Sequence, residues 1–250
     1  MLGIHPIKGI AEISPGVSVA TVLGDALERS ELALRSGDIL AVTQKIVSKA
    51  EDKFVDLGDV EPTGRSLKLA ETTHKDPRLV ELILRESTDV LRALPGLLIV
   101  RHRLGLVMAN AGIDKSNIGP GSSERVLLLP DDPDQSARDI SIALKERFGI
   151  TVPVVITDSF GRPWRHGVTG VAIGMFGMPA LLDRRGMEDR DGRLLEVTQV
   201  ALGDMIAGAV MLVTGEGAEG IPAVVIRGLA YPGNGVARDL IRPLSEDQFQ

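Results

Sequence analysis

A chain of 250 residues, 44% of them hydrophobic, can bury a full core in one or two units, which removes disorder as the default reading. Its formal net charge of −6, with one Trp and one Tyr, supplies neither the broad positive field nor the stacking platform that nucleic-acid binding uses. Cysteine is absent, so disulfides and thiolate metal sites are excluded, and the scattered His5, His74, His102 and His166 argue against a zinc enzyme.

The first residues show no basic segment followed by an apolar core, and the longest apolar stretch, Ala207 to Val213, is far too short for a bilayer. A soluble, cytoplasmic protein without a membrane partner is therefore expected. Taken in chain order, Val19 to Leu34 carries apolar residues at three- and four-residue spacing and predicts an amphipathic helix. Ile39 to Val42 reads as a buried strand. Pro77 to Leu94 repeats the helical spacing, and Leu97 to Val100 and Gly105 to Met108 read as strands. A third helix is expected over Asp134 to Phe148, capped by its Asp and closed by Gly149. Val152 to Ile156 and Ala223 to Ile226 are strands, and between them Leu194 to Val213 reads as a buried helix leaving at Gly215. Without regular strand-helix alternation, the pattern favours an α+β fold over a doubly wound sheet. No linker or repeat divides residues 1–250, so a single domain of two interleaved subdomains is expected.

Four segments carry chemistry. After the strand at Ile39, Thr43, Gln44 and Lys49 stand where a lysine can neutralise a nucleotide phosphate; an ordinary surface lysine, as Lys45 is taken to be, reads equally well. Met108 to Asn117 follows another apolar run. Small residues around Asn110 and Gly112 let backbone approach a ligand, and Asp114 and Asn117 supply oxygens or amide donors, although the same residues commonly form turns. The run Val154-Val155-Ile156 ends in Thr157-Asp158-Ser159. A carboxylate at a strand end can bind Mg²⁺ or Mn²⁺ without deep desolvation, and it can equally cap a turn. Arg162, Arg165 and His166 follow, a set suited to carboxylate or phosphate groups or to a solvated basic loop.

The fourth segment, Gly215-Glu216-Gly217-Ala218-Glu219-Gly220, matches the G-x-G-x-x-G pattern of dinucleotide-binding folds. Ile221-Pro222 and a strand follow it, where that fingerprint needs a helix. The turn can still offer backbone N–H groups to phosphates and a Glu to a metal. No Walker A sequence occurs, so a P-loop enzyme is excluded.

Together, Asp38 to Glu51, Asn110 to Asn117, Val155 to Ser159 and Gly215 to Gly228, in that order and spacing, resemble the coenzyme F420 γ-glutamyl ligase family, from Pro6 almost to the C-terminus. The resemblance implies a homodimeric, GTP-dependent, amide-forming enzyme with a mixed-sheet, two-subdomain α+β fold that is neither Rossmann nor P-loop. Its substrates would be L-glutamate, GTP and the deazaflavin coenzyme F420-0. It places Asp114 and Asp158 on one divalent cation, Mn²⁺ or Mg²⁺, and Ser159 and Glu216 on a second, with K⁺ as a further candidate cofactor. Nucleotide contacts are implied from Lys8, Gly9, Ile10 and Ala11, from Thr43, Gln44, Lys49 and Asn117, and from Thr214 through Ile221. The chain departs from the family pattern at Ser159, where a Thr is usual, and at Lys8 and Ala218, where an acid or Gly is expected; a Ser hydroxyl can still serve as a ligand. Asp114, Asp158, Arg162 and Arg165 form the expected catalytic set, the arginines holding an anionic substrate group. Two alternatives stand beside this one: a nicotinamide- or flavin-dependent oxidoreductase, resting on the glycine pattern at residue 215, and a nucleotide-binding module without catalysis.

Overall fold

The apolar runs at Ile39, Val154 and Ala223 are unbroken by polar residues because both of their faces are covered. The computed structural model describes residues 1–119 and 124–247. Its strands are β1 (Gly3–Pro6), β2 (Ile39–Thr43), β3 (Phe54–Asp56), β4 (Ser87–Leu94), β5 (Leu97–His102), β6 (Val107–Ala109), β7 (Arg125–Leu127), β8 (Val154–Arg162), β9 (Arg165–Phe176), β10 (Leu181–Asp183), β11 (Gln199–Ala201) and β12 (Ala223–Arg227). Its helices are α1 (Val19–Arg29), α2 (Gln44–Ala50), α3 (Gly64–Thr73), α4 (Pro77–Arg85), α5 (Pro133–Phe148) and α6 (Leu202–Thr214).

The main sheet runs β1-β12-β2-β8-β9, with β2 and β8 parallel and the other neighbours antiparallel. Side-chain alternation sorts it into two cores. Leu40, Val42, Val154, Ile156 and Val225 face α1 and α5, whose Leu23, Leu27, Ile140 and Leu144 cover them. Ile39, Ala41, Val155, Val224 and Ile226 face α6 through Leu202, Ile206, Ala207 and Val210. Burying one such aliphatic side chain contributes about 1.5–3 kcal/mol. A third cluster lies between α2 and α5 in sequence, where α3 and α4 pack on the β4-β5-β6 sheet and on the β3-β7 pair through Ala70, Val80, Ile83, Leu98, Val100 and Val126. The fold is α+β with mixed sheets, as the sequence pattern implies. Among the described residues no helix is long and apolar enough to cross a membrane.

Several expected boundaries move. The helix from Pro77 stops at Arg85, and Ser87–Leu94 is strand β4. Two register shifts against β5 put the half-buried residues of β4 three apart, at Ser87, Val90 and Ala93, so a bulged strand imitates helical spacing. Helix α1 ends at Arg29, where the Ser30 hydroxyl donates to the Leu27 carbonyl. The helix expected from Leu194 begins at Leu202, because Gln199–Ala201 pairs with β10 instead. The cap of α5 is Asp132, which accepts from Gln135 N; Asp134 instead accepts from the Met175 and Ala237 amides.

Strand β9 has no counterpart in the sequence reading, because its three glycines depress strand propensity. Those glycines serve packing: a Cβ on Gly170 would collide with the Ala207 carbonyl oxygen of α6. The helix thus lies against the backbone of β9, which carries its C-terminal end toward the exit of β8.

Candidate active site

The order of the sheet brings three of the four chemistry-bearing segments to one edge. Thr43 and Thr157 pair as the last partners of the parallel strands β2 and β8, so Gln44 and Lys45 after one strand and Asp158 and Ser159 on the other emerge side by side. β12 runs against β2, so the turn that feeds it arrives at the same edge, where the Thr43 amide donates to Pro222 O. β1 ends there too, and the segment from Ile7 onward crosses the opening before α1 begins.

Between these segments lies a cavity of about 500 Å³. Ile10, Ala11, Thr43, Gln44, Lys49 and Asn117 line it on one side; Asp158, Ser159 and the turn residues Thr214, Gly215, Glu216, Gly217, Ala218, Gly220 and Ile221 close the other. Gly215 ends α6 at φ +64° and ψ −173°, a conformation open essentially to Gly, and a Cβ there would strike the Glu219 carboxylate. Glu219 in turn accepts from the Gly217 amide, which folds the turn on itself. The Asn117 side-chain amide donates to Gly217 O at 3.0 Å, tying the loop after β6 to the turn. With helix α6 before it and strand β12 after it, this turn has the reverse of the dinucleotide-binding order.

Asp114 borders the cavity through the groups it holds. Gln44 Nε2 donates to its Oδ2 at 2.5 Å, and Lys45 Nζ lies 3.0 Å from its Oδ1. The chain reaches it through Asn110, Ala111 and Gly112, three successive residues with φ of 53°, 54° and 66°. Left-handed backbone at the two non-glycine positions costs on the order of 1–3 kcal/mol each, a strain of the kind found at functional sites. Ser159 Oγ donates to Glu216 Oε2 at 3.0 Å.

Burial pushes the Asp158 carboxyl up to about 7, with the Asp114 and Glu216 charges adding to the rise and the Ser159 amide and Lys45 opposing it. Asp114 is also raised, chiefly by burial, against the pull of Lys45 and Gln44. Asp158, with Asp114 and Glu216 close enough to raise it and the Ser159 hydroxyl beside them, makes a hard-oxygen donor set whose chemistry fits Mg²⁺ or Mn²⁺. Among the described residues no three His, Asp or Glu side chains stand close enough together to hold a cation as they are placed. A metal ion would therefore have to draw the carboxylates inward.

Not every expected residue lies at the cavity. Lys8 and Gly9 precede its rim; Lys8 is exposed, and the Gly9 carbonyl accepts from Arg29. Arg162 and Arg165 face each other at the exposed end of the β8–β9 hairpin, with Trp164 at its tip and His166 exposed beside them, away from the cavity lining. The structure adds residues that the sequence reading left out. Glu12 lines the cavity and is ion-paired with the buried Lys49; Thr157 and Gly170 also reach the lining. Lys45, taken from sequence as an ordinary surface lysine, lines the cavity and holds Asp114. Its signal was adjacency to Gln44 at a strand exit.

A family model described as F420-0:Gamma-glutamyl ligase matches residues 8–228. Curated relatives named Coenzyme F420:L-glutamate ligase include one from Methanopyrus kandleri, 45% identical over 100% of this chain and 98% of the relative. Another, from Methanothermobacter thermautotrophicus, is 41% identical over 98% and 97%, and one from Methanocaldococcus jannaschii is 40% identical over 91% and 92%.

Proposed function

The chain belongs to the F420-0:gamma-glutamyl ligase family, and from that membership together with the cavity we propose that it is an enzyme joining L-glutamate to coenzyme F420-0, and to the monoglutamyl product F420-1, in coenzyme F420 biosynthesis. The observation that carries the reading is Asp158 and Glu216 on the wall of one cavity beside a glycine-rich turn, with Asp114 held next to it by the lining residues Gln44 and Lys45.

A free carboxylate is a poor electrophile at neutral pH, so amide formation needs activation. In the proposed sequence the coenzyme's terminal carboxylate oxygen attacks the γ-phosphorus of GTP, and GDP leaves with the electrons of the broken P–O bond. The glutamate amine then attacks the acyl carbon and expels inorganic phosphate. Catalysis of this kind rests on positioning and charge neutralisation. Divalent cations held by Asp114, Asp158, Ser159 and Glu216 would neutralise the phosphate oxygens, with K⁺ as a further candidate ion. Lys49 and the amides of the 215–220 turn would hold the phosphates, while Asn117 keeps that turn in place. The reading extends to a cytoplasmic homodimer. Exposed apolar Trp164, Val168 and Leu212 support a second copy, and through it Arg162 and Arg165 would reach an anionic substrate.

Mass spectrometry of the deazaflavin after incubation with glutamate, GTP and Mn²⁺ tests the proposal. Glutamyl adducts should require all three additions. No adduct, together with thermal stabilisation by NAD or FMN alone, would favour the oxidoreductase reading; a saturating ligand raises stability by roughly 3 to 4 kcal/mol.

A further inference from the structure

The cavity's carboxylates have one lysine among them that the proposed reaction does not use. Lys45 Nζ lies 3.0 Å from Asp114 Oδ1, and both side chains are largely covered, at 29% and 22% exposure. Gln44 Nε2 holds the other oxygen of Asp114, so that carboxylate is satisfied entirely by protein donors. The second cavity lysine, Lys49, is ion-paired with Glu12, so Lys45 is the lysine in direct contact with Asp114. Strand register reinforces this: Lys45 stands two residues beyond Thr43 and Asp158 one residue beyond its partner Thr157.

We propose that Lys45 is a positioning residue that serves as the resident counter-cation of the carboxylate site, held on Asp114 until a divalent cation takes its place. The inference rests on the metal-binding part of the reading above. An ammonium is a compact point charge on a flexible four-carbon stem, so it can substitute for a metal ion's charge and then swing away. It cannot share Asp114 Oδ1 with a divalent cation, because like charges a few ångströms apart in a half-buried site repel strongly. Lys45 therefore keeps the metal-free carboxylates together and makes the incoming ion compete for Asp114.

The sign of the effect separates this role from a merely structural one. Lys45→Met keeps the length of the side chain and removes the competitor, so Mn²⁺ alone, titrated calorimetrically without nucleotide, should bind roughly tenfold tighter than to the wild type. Lys45→Gln should show the same direction, and Lys45→Arg, which keeps the charge, should stay near the wild type. Circular dichroism checks that each variant is folded. If the wild type binds Mn²⁺, Asp158→Asn loses it, and neither neutral variant binds more tightly, the counter-cation role is overturned while the metal site stands. A wild type that takes up no Mn²⁺ overturns both.

Discussion

One strand, β8, ends in two very different places. Asp158 and Ser159 lie on the cavity wall, where Asp158 is half-buried near other charges and Ser159 is bonded to Glu216. Three residues further on, Arg162 stands at an exposed hairpin end facing Arg165, next to Trp164 at 88% exposure. Both stretches attract attention in the sequence as charged residues after an apolar run. Helix α6 and the turn behind it fold over the first and leave the second in water. A charge acquires a shifted affinity for protons or metals only where neighbours displace solvent, so the cavity should respond to substitution and the tip of a single chain should not.

The largest expected effect sharpens that contrast directly. Asp158→Asn should lower glutamyl transfer by roughly 10²–10³-fold, a loss comparable to removing a preorganised charge-stabilising group, with an unchanged circular dichroism spectrum. The paired change Arg162→Ala and Arg165→Ala should leave GTP binding to the cavity intact in equilibrium dialysis. Tip variants that lost GTP while Asp158→Asn kept its turnover would reverse the comparison.

Next comes pH. The folded state holds a proton on Asp158 up to about pH 7, against an ordinary carboxylate value of 3.8. The stability this contributes is present in full below pH 3.8 and is lost as pH climbs through about 7. Urea denaturation of metal-free protein between pH 4 and 8 should show the wild type losing stability relative to Asp158→Asn as pH rises. A constant difference would mean that the carboxyl is not buried as described.

Gly170→Ala probes the contact that folds α6 over the site. Its Cβ would meet the Ala207 carbonyl, and the overpacking should cost about 1–3 kcal/mol, read as a lower urea midpoint. The smallest effect belongs to the tip, where Trp164→Ser should change monomer stability by no more than about 0.5 kcal/mol.

Much of this was legible before any coordinates. Unbroken apolar runs identify β2, β8 and β12, and the polar residues that adjoin those runs at one end, Gln44 and Lys45, Asp158 and Ser159, and the turn before Ala223, are the ones that face the cavity. β4 and β9 were not legible, for opposite reasons: a bulged strand mimics helical spacing, and a strand built on glycine to admit a helix looks like none at all. Pairings across long sequence separation were hidden as well. Lys45 looks like any solvated lysine until the fold sets Asp114, 69 residues on, against it, and Glu12 gains meaning only beside the buried Lys49. Arg162 and Arg165 illustrate the converse, since closeness in sequence to Asp158 did not bring them to its cavity.

The central claim is that carboxylates from separate stretches grip divalent cations at this cavity. Electron paramagnetic resonance of free Mn²⁺, followed as wild type and Asp158→Asn are added in the presence of GTP, tests it most directly. Loss of the free-ion signal with the wild type and its persistence with Asp158→Asn is the expected outcome; equal uptake by both proteins would contradict the account.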